Sequence, residues 1–306
     1  MLIDIRIFLK GMAMGAADVV PGVSGGTVAF ISGIYEQLLE SIRRINPTLI
    51  GHIRQQGFAS AWQHINGTFL TTLFAGVATS FISLAKLITY LLVHQPIPVW
   101  SFFFGLIVIS IVHISRQIGD WRWPNMSGAL CGFLLAYVIT IAHPLALEPT
   151  LVNVLLGGMI AICAMILPGI SGSFILLLLG LYLPIIEAVK GFDATIIGVF
   201  LCGAVLGLLT FSHLLSFLLK RYHGQTLAFL TGLMVGTLPE IWPWKQTLTT
   251  RMNSSGEQVP LTEQVLTPWQ YAELTGQNPQ VVSAIICVFI GIGLVWGLER
   301  FAAQSH

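Results

Sequence analysis

Long apolar runs cut by short polar breaks set the plan of this chain. Residues 3–20 are apolar apart from charges near the start, Arg6 and Lys10 among them. A segment rich in Pro and Gly follows, and residues 24–40 are apolar again. The same pattern returns over 151–189, split at Pro168. Each arm is about 17 residues, or ~25 Å at 1.5 Å per residue, a little short for a hydrocarbon core of about 30 Å. Two short helices joined by a Pro-Gly break predict a re-entrant hairpin, at 3–40 and again at 151–189. Irregular backbone at that depth must be buried in protein or line a cavity. Three spans are predicted after each hairpin, at about 68–93, 97–114 and 127–142, then at about 194–219, 225–240 and 280–298. Residues 41–67 read as a polar loop with an amphipathic helix, and 244–279 as a polar loop without long apolar runs.

Composition fixes the class. The 306 residues are 55% hydrophobic and 9% charged, with a mean hydropathy of +0.83, where a soluble domain is about 25% charged. Long continuous apolar runs exclude the short alternating segments of a membrane β-barrel. The expectation is an all-α polytopic membrane protein. A net charge of +1 gives no electrostatic case for nucleic acid. Cys131, Cys163, Cys202 and Cys287 each sit alone in an apolar segment and read as small buried hydrophobes. No residues stand at metal-ligand spacing, so neither metal nor cofactor is expected. The residues before Asp18 lack the pattern of a cleaved signal.

The breaks are copies of one device. Asp18-Val19-Val20-Pro21-Gly22-Val23-Ser24-Gly25-Gly26-Thr27 is matched by Pro168-Gly169-Ile170-Ser171-Gly172-Ser173. Pro168 follows Pro21 by 147 positions, Tyr182 follows Tyr35 by the same number, and so does Glu187 after Glu40. Further on, Gly76 matches Gly203 and Gly105 matches Gly232, both 127 apart. The first half therefore holds 20 extra residues, which fall in the loop at 41–67. We read two repeats, 1–149 and 150–306. Whether the hairpin arms are re-entrant or fully spanning, each half crosses the membrane an odd number of times, so the repeats are expected to have inverted topology; only a single discontinuous span per half would give four crossings and a parallel repeat. With the N-terminus in the cytoplasm, Arg6, Lys10, Arg43, Arg44, Arg54, Arg116, Arg122, Lys220, Arg221 and Arg300 fall inside, against Lys190, Lys245 and Arg251 outside. Both termini are accordingly assigned to the cytoplasm.

The break has a chemistry of its own. Pro21 and Pro168 remove a backbone donor and stop the preceding helix. Gly22, Gly25, Gly26, Gly169 and Gly172 permit unusual backbone angles and close approach of a ligand. The next helix starts with free N–H groups beside the hydroxyls of Ser24, Thr27, Ser171 and Ser173, an arrangement suited to phosphate or carboxylate. The bland reading is that Gly and Ser merely permit tight helix packing. Asp18 reads two ways, as a proton or cation coupling site or as an acid capping N–H groups at the break. Its repeat counterpart is Met165. Glu36, Glu40 and Glu187, toward the ends of the second arms, would snorkel to the interface, with Glu36 also a coupling candidate. Lys86 is a cation inside a predicted span, placed either to hold a phosphate or to snorkel outward; His213 is its counterpart, either a titrating coupling group or an interhelical contact. Trp121, Trp123, Trp242 and Trp244 read as aromatic-belt anchors.

On these two motifs the chain resembles the PopT family of polyprenyl-phosphate (undecaprenyl-phosphate) translocases, formerly an uncharacterised multi-pass membrane domain family. The likeness runs from about residue 5 to 300. It implies a flippase of the bacterial cytoplasmic (inner) membrane that returns the lipid carrier to the cytoplasmic leaflet for cell-envelope synthesis, and it implies no enzyme activity. The physical reading agrees with that role: a phosphate head needs a polar cradle at mid-depth, open to the side so that the tail stays in lipid. The first alternative is an ion-coupled transporter of a small anionic solute. A lipid phosphatase is a further alternative, without a His/Asp/Glu grouping or Ser-base pair to support it. The coupling ion, proton or sodium, and a homo-oligomeric state are left open by the sequence. Single cysteines introduced as Arg43→Cys and Lys245→Cys are expected to react with an impermeant thiol reagent from opposite sides of the membrane; reaction from the same side would overturn the orientation.

Overall fold

The computed structural model describes residues 4–20, 23–46, 48–142, 145, 147–252 and 258–303. Helix α1 (Ile5–Asp18) starts from Asp4, whose carboxylate accepts the Arg6 N–H, and ends at the first break. The segment read as one arm at 24–40 is two helices, α2 (Gly25–Ile31) and α3 (Tyr35–Arg43). The turn between them passes through Gly33 at φ +72°, a region that a Cβ disfavours. That turn is itself largely apolar, so hydropathy runs straight through it. The stretch at 41–67 holds α4 (Thr48–His64), sharply kinked at Gly57. The predicted span 68–93 is divided at Leu84 into α5 (Gly67–Ser83) and α6 (Ala85–His94). Then come α7 (Pro96–Gln117) and α8 (Trp123–Ile141).

The second hairpin runs through α9 (Leu151–Ile166), α10 (Gly172–Leu178) and α11 (Tyr182–Lys190), with Gly180 at φ +75° in the α10–α11 turn. The axes of α10 and α11 meet at 110°. Both ends of α10 lie 147 positions beyond those of α2, and both ends of α11 the same distance beyond those of α3. Helix α12 (Ala194–Arg221) is continuous where α5 and α6 are divided. Helix α13 (His223–Gly236) runs into a 3-10 turn at Leu238–Ile241. Its 14 residues reach only ~21 Å, less than the span predicted over 225–240.

The polar loop at 244–279 is a local departure from helix in a chain that otherwise meets the all-α expectation. It folds as an antiparallel pair, β1 (Lys245–Met252) and β2 (Gln258–Val265), followed by α14 (Pro268–Thr275). Threonines at 247, 249 and 250 favour strand, but without an apolar run the segment carried no span signal. Trp242 and Trp244 are structural here. Their indole N–H groups donate to the Leu266 and Pro279 carbonyls at 2.9 and 2.8 Å. Trp244 is buried with Ile97, Leu266, Tyr271 and Ala284. Of the four residues read as belt anchors, Trp121 and Trp123 keep the exposure of that role. The chain closes with α15 (Val281–Ala303). Among the described residues, α7, α8 and α12 are long and apolar enough to cross a membrane, and the bent pairs α4–α5 and α10–α11 pass the same test as broken units. The chain is a multi-pass, predominantly helical membrane protein.

Four helix pairs build the body: α1 with α5, α9 with α12, α7 with α15 and α8 with α13. Glycines set their closeness. A Cβ on Gly11 would run into the Leu73 carbonyl, and one on Gly76 into the Phe8 carbonyl. Gly158 and Gly203 stand in the same relation to the Phe200 and Leu155 carbonyls. Small residues let helix backbones touch where lipid offers no hydrophobic drive between them. Leu39, Leu73, Ile107, Leu230, Leu233 and Met234 fill the centre. Cys131 and Cys202 are exposed, against the expectation of burial; an apolar residue loses nothing by facing lipid. Overpacking a tight contact costs roughly 1–3 kcal/mol, or more where backbone must move. Gly76→Leu is therefore expected to lower the melting temperature in detergent by about 5–10 °C. Gly198→Leu, at a position with open space, is expected to leave it unchanged; equal melting of the two variants would refute the close-packing account.

Candidate functional site

The break residues at Pro21 and Gly22 lie outside the described residues; the remainder of the first motif is packed against the second. Helix α9 ends at Ile166, so its last carbonyls have no intrahelical partner. The first motif supplies partners. The Ser24 hydroxyl donates to the Met165 carbonyl at 3.1 Å, and the buried Tyr35 hydroxyl donates to the Ile166 carbonyl at 3.1 Å. In return, the Thr27 hydroxyl accepts the Gly169 N–H at 2.9 Å. Ser24 and Thr27 are almost fully buried, at 1% and 0% exposure. Gly26 is where α2 passes closest, since a Cβ there would stand 2.7 Å from the Ile166 carbonyl oxygen.

Glycine at 169 has two causes. Its φ is +89°, and a Cβ would lie 2.6 Å from the Thr237 hydroxyl. Pro168 is buried beside it. Thr237, at the end of α13, lies against Gly169 and donates its hydroxyl to the Met234 carbonyl of its own helix at 3.1 Å.

The two helix starts differ. At α2 the Gly25 N–H donates to Asp18 Oδ1 at 2.6 Å, and the Gly26 N–H donates to Ser24 Oγ at 3.1 Å. The N–H groups expected to be free are thus already held by a carboxylate and a hydroxyl. Asp18 folds back over α2, and a Cβ on Gly25 would stand 2.5 Å from its Oδ2. At α10 no side chain caps the start. Ser171 and Ser173 instead bring their hydroxyls within 2.9 Å of each other; Ser173 is exposed, and Gly172 is buried against Ala161. Met165, at the position matching Asp18, has no oxygen with which to copy the cap.

The remaining candidates lie apart from this interlock. Lys86 is exposed in the first turn of α6 and forms no ion pair with a described residue. Glu36 is exposed on α3, with its Oε1 3.9 Å from Nδ1 of His223 on α13. His213 is exposed on α12, its Nδ1 2.7 Å from the Leu209 carbonyl oxygen of the same helix. Three residues beyond the motif residues take part in the hairpin architecture. Tyr35 stood in the sequence only as a repeat marker. Lys10 stood only as a charge, yet its ammonium donates at 2.7 Å to the Ser32 carbonyl in the α2–α3 turn. Glu40 is no lone interfacial acid. It receives Arg43 at 2.5 Å, Lys220 at 2.9 Å and Arg44 at 3.4 Å. The matching of Gly33-Ile34-Tyr35 with Gly180-Leu181-Tyr182 was the signal available for Tyr35; nothing in the sequence pairs Glu40 with Lys220, 180 positions away.

Against known proteins, residues 14–259 match the VCA0040-like family model, described as undecaprenyl phosphate translocase-like. A protein of Vibrio cholerae serotype O1 (strain ATCC 39315 / El Tor Inaba N16961), named polyprenyl-phosphate transporter, is 59% identical over 297 residues, which is 97% of this chain and 96% of that one. A protein of the same name from Staphylococcus aureus (strain NCTC 8325 / PS 47) is 34% identical over 256 residues, 77% of this chain and 85% of that one. No solved structure matches the chain. A family match over most of the length, on a chain whose two motifs meet inside a multi-pass membrane fold, has one conclusion: the protein belongs to the undecaprenyl phosphate translocase-like family.

Proposed function

We propose that this protein translocates undecaprenyl phosphate across the bacterial cytoplasmic membrane, from the outer to the cytoplasmic leaflet, by alternating access. The carrying observation is the interlock of the two breaks, with hydroxyls and irregular backbone of both motifs meeting within an apolar body. The names of the two relatives support the substrate. We place the phosphate head at the breaks, beside Ser24, Gly25, Gly26 and Thr27 on one side and Ser171, Gly172 and Ser173 on the other. The tail stays in lipid. In the present conformation the Asp18 carboxylate holds the Gly25 N–H. A phosphate head would compete with it there, and uptake of a proton or sodium ion by Asp18 would release the N–H. This is the coupling role we assign to Asp18. Glu36 and His213 meet His223 and the Leu209 carbonyl rather than the interlock, and we assign neither these nor the exposed Lys86 a coupling role.

We read the chain as two inverted repeats, 1–149 and 150–306, with both termini in the cytoplasm. The 28-residue helix α12 supports this. At about 42 Å it is long enough to cross the membrane. Helix α11 ends at Lys190, just before the start of α12, whereas Glu40 of α3 contacts Ser216 and Lys220 near the end of α12. The matching ends of α3 and α11 are thus at opposite ends of one long helix.

In proteoliposomes, the wild-type protein is expected to move a labelled polyprenyl phosphate between leaflets. Gly25→Leu, which displaces Asp18, and Ser171→Leu are each expected to reduce the rate at least tenfold while the protein remains inserted and monodisperse. Wild-type rates in both variants would overturn the placement of the head group. Uptake of inorganic phosphate into the lumen without lipid movement would favour a small-anion transporter instead.

A further inference from the structure

A second cluster of polar chemistry lies where α3, α4 and α12 meet. Glu40 sits at its centre. Arg43 reaches it with both Nε and Nη2, Arg44 with Nε, Lys220 with Nζ and Ser216 with its hydroxyl. One carboxylate offers about four lone-pair sites, and these donors take them all. Cavities open on either side of it. One, of about 320 Å³, is lined by Arg43, Lys220 and Arg221 together with His213, Ser216 and Phe217. The other, of about 490 Å³, is lined by Glu40, Arg43 and Arg44 and by the imidazoles of His52 and His64. Three cations, Arg43, Arg44 and Lys220, thus contact one carboxylate, a fourth, Arg221, lines the first cavity, and among the described residues Glu40 is the sole acid lining either cavity.

Helix α4 is shaped toward this place. Twelve residues of unbroken helix would hold His52 and His64 about 18 Å apart. The kink at Gly57, φ 81° and ψ 169°, folds the helix so that the two rings stack at 4.6 Å. The His64 carbonyl accepts from Arg44 Nη1 at 2.9 Å, fixing this end of α4 to the cation cluster. His52 Nδ1 is buried without a hydrogen-bond partner among the described residues, and a buried polar atom left so costs about 1–3 kcal/mol. Excess cationic charge, two adjoining cavities and an unsatisfied ring nitrogen together describe a site for a compact, multiply charged anion.

We propose that this pocket is a phosphate-monoester site in which Glu40 acts as the resident counter-anion. A monoester dianion suits it because guanidinium groups bind phosphate oxygens in pairs, and because a phosphodiester carries half the charge. Resting on the translocase reading, the pocket is where the carrier's phosphate head is received at the cytoplasmic end of its passage. Free phosphate has the same chemistry, and the test distinguishes the two sources.

The test uses the purified full-length protein in detergent, with farnesyl phosphate, its methyl phosphodiester and inorganic phosphate as probes in equilibrium binding. Farnesyl phosphate is expected to bind at least tenfold more weakly to Arg44→Gln and to Lys220→Gln than to wild type. Glu40→Gln removes the competing carboxylate and is expected to tighten binding several-fold. A merely structural Glu40 would give weaker binding, and that result from a monodisperse protein overturns the proposal. So does unchanged affinity in both cation variants, or equal affinity for the phosphodiester. Equal affinity for inorganic phosphate supports the pocket and assigns it to free phosphate. The translocase reading is scored separately, by lipid movement in proteoliposomes of the wild-type protein. Lipid movement with unaltered binding in the cation variants sinks the pocket alone, and binding without lipid movement sinks the translocase reading alone.

Discussion

Broken backbone inside a membrane must find its hydrogen bonds within the protein. An unsatisfied N–H or C=O in hydrocarbon costs several kcal/mol. Each Pro-Gly break opens such groups at the end of one helix and the start of the next. The chain satisfies them by turning one break onto the other: Ser24 and Tyr35 take the carbonyls that α9 leaves open, and Thr27 takes the Gly169 N–H. This exchange dictates much of the surroundings. It brings α2 against the end of α9, which is why position 26 has no room for a side chain. It buries Ser24, Thr27 and Tyr35, polar groups that stay in the core only because each has a partner.

Glycine packing determines how this core can move. The contacts Gly11–Leu73 and Gly76–Phe8 lock α1 to α5, and Gly158–Phe200 and Gly203–Leu155 lock α9 to α12. These two pairs lie within the proposed repeats. The pairs α7–α15 and α8–α13 join one proposed repeat to the other, again with glycines, at 105, 291, 132 and 232, set against the partner's carbonyls. Pairs held this closely behave as rigid bodies. In the alternating access we propose, motion that parts the breaks would occur between pairs, by hinging at turns such as Gly33 and Gly180 or by sliding of one pair past another. A lipid translocase needs that property, since its site has to open sideways without dissolving the fold.

The fold was legible wherever its cause was periodic or compositional. Apolar runs marked most of the helices, and the fixed offsets of Pro21 with Pro168 and of Gly76 with Gly203 marked corresponding elements before any coordinates. Turns made of apolar residues were not legible. Gly33-Ile34 divides an arm without interrupting its hydropathy, and Leu84 divides a span the same way. The β1–β2 pair was missed because a polar strand outside the membrane has no span signal. The motifs contain Ser24, Gly26, Thr27 and Gly169, which meet in the interlock. They did not disclose that the first helix start is occupied, because a three-dimensional fold-back of Asp18 onto Gly25 leaves no periodic trace. The Glu40–Lys220 contact was hidden for a related reason: it depends on how distant segments pack, and each residue alone reads as an ordinary interfacial charge.

In the transport we propose, the departures from symmetry are where direction enters. A two-fold device with identical halves would bind and release a head group equally from either side. Asp18 breaks that equivalence at the centre, since its counterpart Met165 cannot accept a hydrogen bond from α10 as Asp18 does from α2. At the periphery the carboxylate is shared, since Glu187 matches Glu40, and the cation is not: the position matching Lys220 in the earlier span is Val93, an apolar residue. In the reading we propose, each place holds a carboxylate of the protein where a phosphate oxygen would be attracted. Such an arrangement keeps cations and backbone donors ordered in the absence of substrate without leaving them unpaired, which lowers the reorganisation needed on binding. In the proposed cycle its cost is competition, because the head group would have to displace an anion already in position. Affinity is then lower than the count of donors alone would give, and a carrier that has to release its cargo on every cycle requires that moderation.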